Sequence, residues 1–283
     1  MRTLAGMTVV GSLLVTTVWA ATSPDLDRLD PVTTRVMDAT IAALDHLIAE
    51  RKARGTLPLL TFEELEQPLS RDQRALLAAI RGIDPRTLQG SSHVLPLPSP
   101  STVFDRLEGQ QYRQGPQLVT LDTQYLPHAT AQAYHQMMGA MQRDLGKRLL
   151  VESGYRSPAH QLYLFLFYLP KHGYSIRETN RFVALPGCSE HGSPARQAID
   201  FINEAGINGE DHPEQFEALP EYAWLQQHAR EYNFFLSYPR DNHVNTSFEP
   251  WHWHWEKRGS RPPRVGNPNR SFGARAGTVS RTS

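Results

Sequence analysis

Residues 251–255 read Trp-His-Trp-His-Trp, and this stretch restricts the fold more tightly than any other in the chain. Alternation with a period of two is a strand pattern. It sends His252 and His254 to one face and Trp251, Trp253 and Trp255 to the other. Three indoles need an apolar layer beneath them, whereas two imidazoles need polar partners or a metal. A lone histidine on such a strand is ordinary packing, but a pair flanked by three tryptophans is harder to read that way. Glu249-Pro250 precedes the strand, and the proline kinks the chain, freeing the Glu249 carboxylate from strand alternation. Glu249 thereby becomes a candidate general base. The alternative is a surface glutamate.

A second strand, Ala198-Ile-Asp-Phe-Ile202, carries a carboxylate inside an apolar run. Burying Asp200 there is costly unless it is paired or bound to a cation. A salt bridge to Arg156 and a metal ion are both consistent with Asp200 alone, and His191 and the histidines of the last segment favour the metal. Catalytic zinc takes three ligands from histidine and carboxylate and keeps a fourth position open. His191, Asp200 and one histidine of 252 and 254 supply that set. Arg156 lies in the turn Ser153-Gly-Tyr-Arg-Ser157, between a strand predicted over 148–152 and a helix predicted over 158–169. From there it can clamp a carboxylate or stabilise an oxyanion.

The rest of the chain is read more coarsely. Residues 24–92 look helical, with Met37, Ile41, Leu44 and Ile48 at helical spacing and a capping-box pattern at Thr61 to Glu64. Another helix is expected over 72–80, ending near Gly82. A Pro/Ser-rich linker covers 90–101. Beyond it, helices are expected over 129–145 and 221–232 and a strand over 234–238. The N-terminus has a short positive start, an apolar run from Leu4 to Trp19 and small residues before Ala20. It reads as a secretory signal peptide (1–20), with a secreted or periplasmic product. Net charge is formally zero, so no nucleic-acid partner is indicated. After Glu256 no acidic residue remains, and Arg258, Arg261, Arg264, Arg270, Arg275 and Arg281 sit in a disordered-looking tail (259–283). That tail offers weak contact to anionic wall polymers or membrane. The single cysteine, Cys188, forbids an intramolecular disulfide and reads as a packing residue.

Taken together, Ser153-Gly-Tyr-Arg-Ser157 with Gln161, Ser189-Glu-His191 with Ala198-Ile-Asp200, and Glu249-Pro-Trp-His252 resemble the VanY-type D-alanyl-D-alanine carboxypeptidases. These fall within the wider group of lysostaphin- and hedgehog-like zinc peptidases. The resemblance covers about residues 115–257. It implies an α+β fold, a small antiparallel sheet with flanking helices carrying a zinc site. Here a helical N-terminal region (21–100) precedes the catalytic domain (101–258). It implies Zn2+ held by His191, Asp200 and His252, Glu249 as base, and Tyr155, Arg156, Gln161 and Ser189 as substrate-binding positions. His252 is preferred to His254 because it keeps the Glu-x-x-His spacing. The substrate implied is a peptidoglycan stem peptide losing its terminal D-alanine. Endopeptidase action and a non-catalytic wall-binding module are the rivals. The spacing from His191 to Asp200 is nine residues against the family's seven. A two-residue insertion in a hairpin loop preserves side-chain parity, so both ligands are expected to face the metal.

Overall fold

Helix α1 (Pro31–Ala53) begins where Asp30-Pro31 places a cap and a proline. The Asp30 carboxylate accepts the N–H groups of Val32 and Thr33. Thr61 and Glu64 form the expected capping box and open α2 (Phe62–Glu66). Ser70 and Gln73 form a second box on α3 (Arg71–Arg81), which stops at Gly82. Each such cap is worth about 1 kcal/mol. The structure, a computed structural model, describes residues 24–88, 94–210, 212–242 and 247–257. The expected signal peptide, the basic tail and part of the Pro/Ser-rich linker lie outside those residues.

Four strands then appear that the sequence pattern did not single out. β1 (Phe104–Leu107) pairs antiparallel with β4 (Gln124–Pro127), and β2 (Gln111–Gln114) with β3 (Gln117–Thr120). Next come α4 (His128–Leu145), β5 (Leu149–Ser153), α5 (Pro158–Tyr168), α6 (Ile176–Thr179) and β6 (Arg196–Asn203). α7 (Pro213–Glu217), α8 (Pro220–His228), β7 (Phe234–Leu236) and β8 (His252–Glu256) complete the described chain. The mixed α+β architecture expected from the sequence is the one adopted. Among the described residues no helix is long and apolar enough to cross a membrane.

The central sheet has the order β5-β6-β8-β7, with every pair antiparallel. Register sets its two faces. Asp200 lies opposite His252, Ile199 opposite Trp253 and Ala198 opposite His254. Ile199, Phe201, Trp253 and Trp255 therefore share the face covered by Tyr134, Met137 and Met141 of α4 and Trp224 and Leu225 of α8. Each large apolar side chain buried there contributes roughly 1.5–3 kcal/mol. The opposite face carries Asp200, His252 and His254. A second core joins Met37, Leu44 and Ile48 of α1 and Leu76, Leu77 and Ile80 of α3 to Leu162, Phe165 and Leu166 of α5. The N-terminal helices thus pack directly on the helix that follows the Gly-Tyr-Arg turn.

Candidate functional site

Three segments distant in sequence meet on the polar face of the sheet. Asp200 and His252 face each other across the β6–β8 ladder, with Asp200 Oδ1 2.7 Å from His252 Nδ1. His191 comes from a 3-10 turn, Glu190–Gly192, capped by the Ser189 hydroxyl. Contrary to the expected hairpin parity, His191 is not on a strand, so the longer connection to Asp200 shifts no ladder. Its position is fixed instead by the loop's own contacts. His191 Nδ1 lies 2.7 Å from the Gly154 carbonyl, and the His191 carbonyl accepts the N–H of Arg156 at 3.0 Å. With Nδ1–H donated to that carbonyl, Nε2 is the atom turned to Asp200, 3.1 Å from Oδ2.

His191, Asp200 and His252 each offer one donor atom, and these atoms lie within 4.8 Å of one another. His191 Nε2 is fully buried and lacks a well-aligned hydrogen-bond partner among the described residues. Two imidazoles and one carboxylate converging around such an atom fit the donor set of catalytic zinc. His254, two residues along β8, is about 7 Å farther down the strand. It is held elsewhere: Nδ1 is 2.7 Å from Ser237 Oγ and Nε2 is 3.2 Å from Glu256 Oε1.

Glu190 is the residue that the sequence reading missed. Its buried Oε2 stands 3.0 Å from His252 Nε2 and accepts the Ser237 hydroxyl at 2.6 Å, and its Oε1 accepts from Arg196 Nε at 2.5 Å. A carboxylate on Nε2 fixes the ring so that Nδ1 faces Asp200. The only signal in sequence was adjacency to His191. Its burial arises from β7, β8 and the 3-10 turn meeting in space. Tyr238 was expected only as a strand end. It lines the cavity with its ring 4.9 Å from that of His252.

The electrostatics follow from burial and these partners. Burial opposes ionisation of Asp200, but the His191 and His252 imidazoles hold it well below the usual carboxylate range. Burial would likewise depress His252, yet Asp200 and Glu190 overcome it and hold the ring at about 10. Burial and then the Arg156 charge push His191 down to about 4. Burial raises Glu249 to about 7, a value suited to proton transfer near neutrality.

Glu249 sits in the turn before β8, its Oε2 3.9 Å from His252 Nδ1. Arg156 Nη2 lies 3.8 Å from Asp200 Oδ2, too long for a hydrogen bond. Both line one cavity of about 860 Å³ together with His191, Asp200 and His252. Ser189 and Gln161 line it too, and Gln161 Nε2 is anchored on the Ala184 carbonyl at 2.8 Å. Tyr155 is not among the lining residues. Its ring is buried against Phe104, with centroids 4.3 Å apart. The cavity continues past Tyr168 to His172, Arg177, Arg181 and Phe182.

Residues 123–258 match the family model of VanY, D-alanyl-D-alanine carboxypeptidase. The chain is 29% identical over 137 residues to the bifunctional D-Ala-D-Ala dipeptidase and D-Ala-D-Ala carboxypeptidase VanXYC of Enterococcus gallinarum, covering 46% of this chain and 67% of that one. It is 29% identical over 145 residues to YodJ of Bacillus subtilis (strain 168), covering 51% of this chain and only half of that protein's length. Among solved structures it is similar to a mutant of the vancomycin-resistance D,D-pentapeptidase VanY from a VanB-type cassette in complex with Zn(II). That likeness has 19% identity and a TM-score of 0.43, covering 59% of this chain and 85% of that one.

Proposed function

From the match of residues 123–258 to the VanY family model, we propose that the protein is a zinc-dependent carboxypeptidase. Its substrate is a peptidoglycan stem peptide, from which it removes the terminal D-alanine. The observation that carries the reading is the meeting of His191, Asp200 and His252 with Glu249 and Arg156 in one cavity. His191, Asp200 and His252 would hold the zinc ion, which would supply Lewis acidity toward a peptide carbonyl and toward water. Glu249 takes the proton of the attacking water and hands it to the departing amine. Arg156 binds the free carboxylate of the terminal residue through charge-assisted hydrogen bonds. Ser189 caps the turn that presents His191. Glu190, behind His252 Nε2, holds the ring with Nδ1 toward Asp200, the orientation in which it would serve as a ligand. Export through residues 1–20 is part of the same proposal, since the wall substrate lies outside the cytoplasm.

Mass spectrometry of defined stem peptides incubated with the zinc-loaded protein tests the reading. Loss of one D-alanine by wild type and none by Glu249→Ala is expected. Cleavage at an internal bond would replace carboxypeptidase by endopeptidase. Stoichiometric zinc with no cleavage of any stem peptide would favour a wall-binding module.

A further inference from the structure

Arg156 is half-buried, yet its buried Nε has no hydrogen-bond partner among the described residues, and its nearest carboxylate stands 3.8 Å away. Side-chain bonds therefore do not place the guanidinium; the backbone on either side of it must. On the C-terminal side, the Ser157 N–H donates to the Pro58 carbonyl at 2.9 Å and the Ser157 hydroxyl to the Leu60 carbonyl at 2.5 Å. On the N-terminal side, the Tyr155 N–H donates to the Tyr125 carbonyl at 2.7 Å, and the Tyr125 hydroxyl donates to the Gly55 carbonyl at 3.1 Å. Both neighbours of Arg156 are thus tied to one short segment, residues 55–60, which lies between α1 and α2. That segment is itself fixed. Gly55 has φ +63°, and a Cβ there would meet Thr123 Oγ1 at 2.5 Å, while Leu60 is buried in the core shared with α5.

We infer that residues 55–60 are a positioning element for Arg156, through which the N-terminal helices set the selectivity of the cavity for a substrate ending in a free carboxylate. The inference rests on the proposed role of Arg156. Segment 55–60 lies outside the span matched by the family model, and among the described residues no hydrogen bond or ion pair joins it to His191, Asp200 or His252. Displacing the turn by about 1 Å is enough to cost roughly a hundredfold in a well-oriented site. That loss should fall on the substrate whose carboxylate Arg156 binds.

The test compares kcat/KM for two peptides that differ only at the C-terminus, one a free acid and one a primary amide. Wild type, Gly55→Ala and Tyr125→Phe are measured as zinc-loaded full chains. Gly55→Ala forces a left-handed residue to carry a Cβ against Thr123, and Tyr125→Phe removes only the hydroxyl that reaches Gly55. The expected result is a free-acid to amide ratio lowered about tenfold or more in Gly55→Ala. In Tyr125→Phe a smaller fall in the same direction is expected, with zinc stoichiometry unchanged in both. A role limited to folding would lower both rates together and leave the ratio at its wild-type value, and that result overturns the inference. Should Gly55→Ala fail to fold, the ratio in Tyr125→Phe decides alone. A wild type that does not distinguish acid from amide contradicts instead the assignment of Arg156, on which the inference stands.

Discussion

Gly154→Ala is the substitution whose consequences the structure fixes most closely. Gly154 is not in the left-handed region, so crowding, not backbone conformation, selects glycine there. An added Cβ would lie 2.6 Å from the Tyr125 carbonyl oxygen, 3.1 Å from Leu126 Cδ2 and 3.4 Å from Val151 Cγ1. The leucine methyl can rotate away. The carbonyl is committed to the Tyr155 N–H and cannot. A carbon normally stays about 3.3 Å or more from such an oxygen, so the turn must retreat by about 0.7 Å. The Gly154 carbonyl, 2.7 Å from His191 Nδ1, moves with it. Two effects follow. Overpacking costs about 1–3 kcal/mol of stability. Misplacing the group that orients His191 costs about 10–100-fold in metal affinity. Thermal unfolding in chelator reads the first, and zinc competition against a chromophoric chelator reads the second. A destabilised Gly154→Ala protein with wild-type zinc affinity would refute the role given to that carbonyl.

Glu190→Gln, which removes the charge behind His252 Nε2 but keeps the shape, should weaken zinc binding about 10–100-fold; unchanged affinity in competition titration would count against it. His160 is buried and pushed from 6.5 to about 3 by burial, then by the charges of Arg156 and His191. The unfolded chain therefore binds the extra proton first, and stability falls as pH drops from 6.5 toward 3, by about 2 kcal/mol at pH 5 from this group. Urea unfolding should show that slope flattened in His160→Leu, and an identical slope would remove His160 from the account. Burial raises Cys188 from 9.0 to about 11. At pH 8 its thiolate is about a hundredth of an ordinary thiol's, so alkylation by iodoacetamide should be about a hundredfold slow and should accelerate up to pH 11. Reaction as fast as free cysteine would contradict that environment.

What could be read ahead of the structure was what local pattern controls. Asp30-Pro31, Thr61 with Glu64, and Gly82 mark helix ends by backbone chemistry that needs no tertiary partner, and they fall where expected. The Trp/His alternation set the faces of His252, Trp253, His254 and Trp255 on β8, whereas Trp251 precedes the strand and lines the cavity beside His252. β1 to β4 escaped because four-residue strands with mixed polar and apolar residues carry little periodic signal. Parity across a hairpin loop is the expectation for His191, but Ser189 caps a 3-10 turn there, and no spacing rule distinguishes the two. Glu190 and Tyr238 look like ordinary residues until β7 and β8 close over them. The choice between His252 and His254 was open on pattern alone. Space favours His252, whose Nδ1 converges with His191 and Asp200, whereas His254 turns to Ser237 and Glu256. The tie from Ser157 to Leu60 spans 97 residues, and no local reading reaches that far.

The central claim is that one cation is held by His191, Asp200 and His252, with Glu249 beside it. Anomalous diffraction at the zinc edge from a zinc-loaded crystal tests it most directly. The account predicts a single strong peak about 2.0–2.2 Å from His191 Nε2, an Asp200 carboxylate oxygen and His252 Nδ1. A peak bound to His254, or no peak among these three side chains, would contradict it.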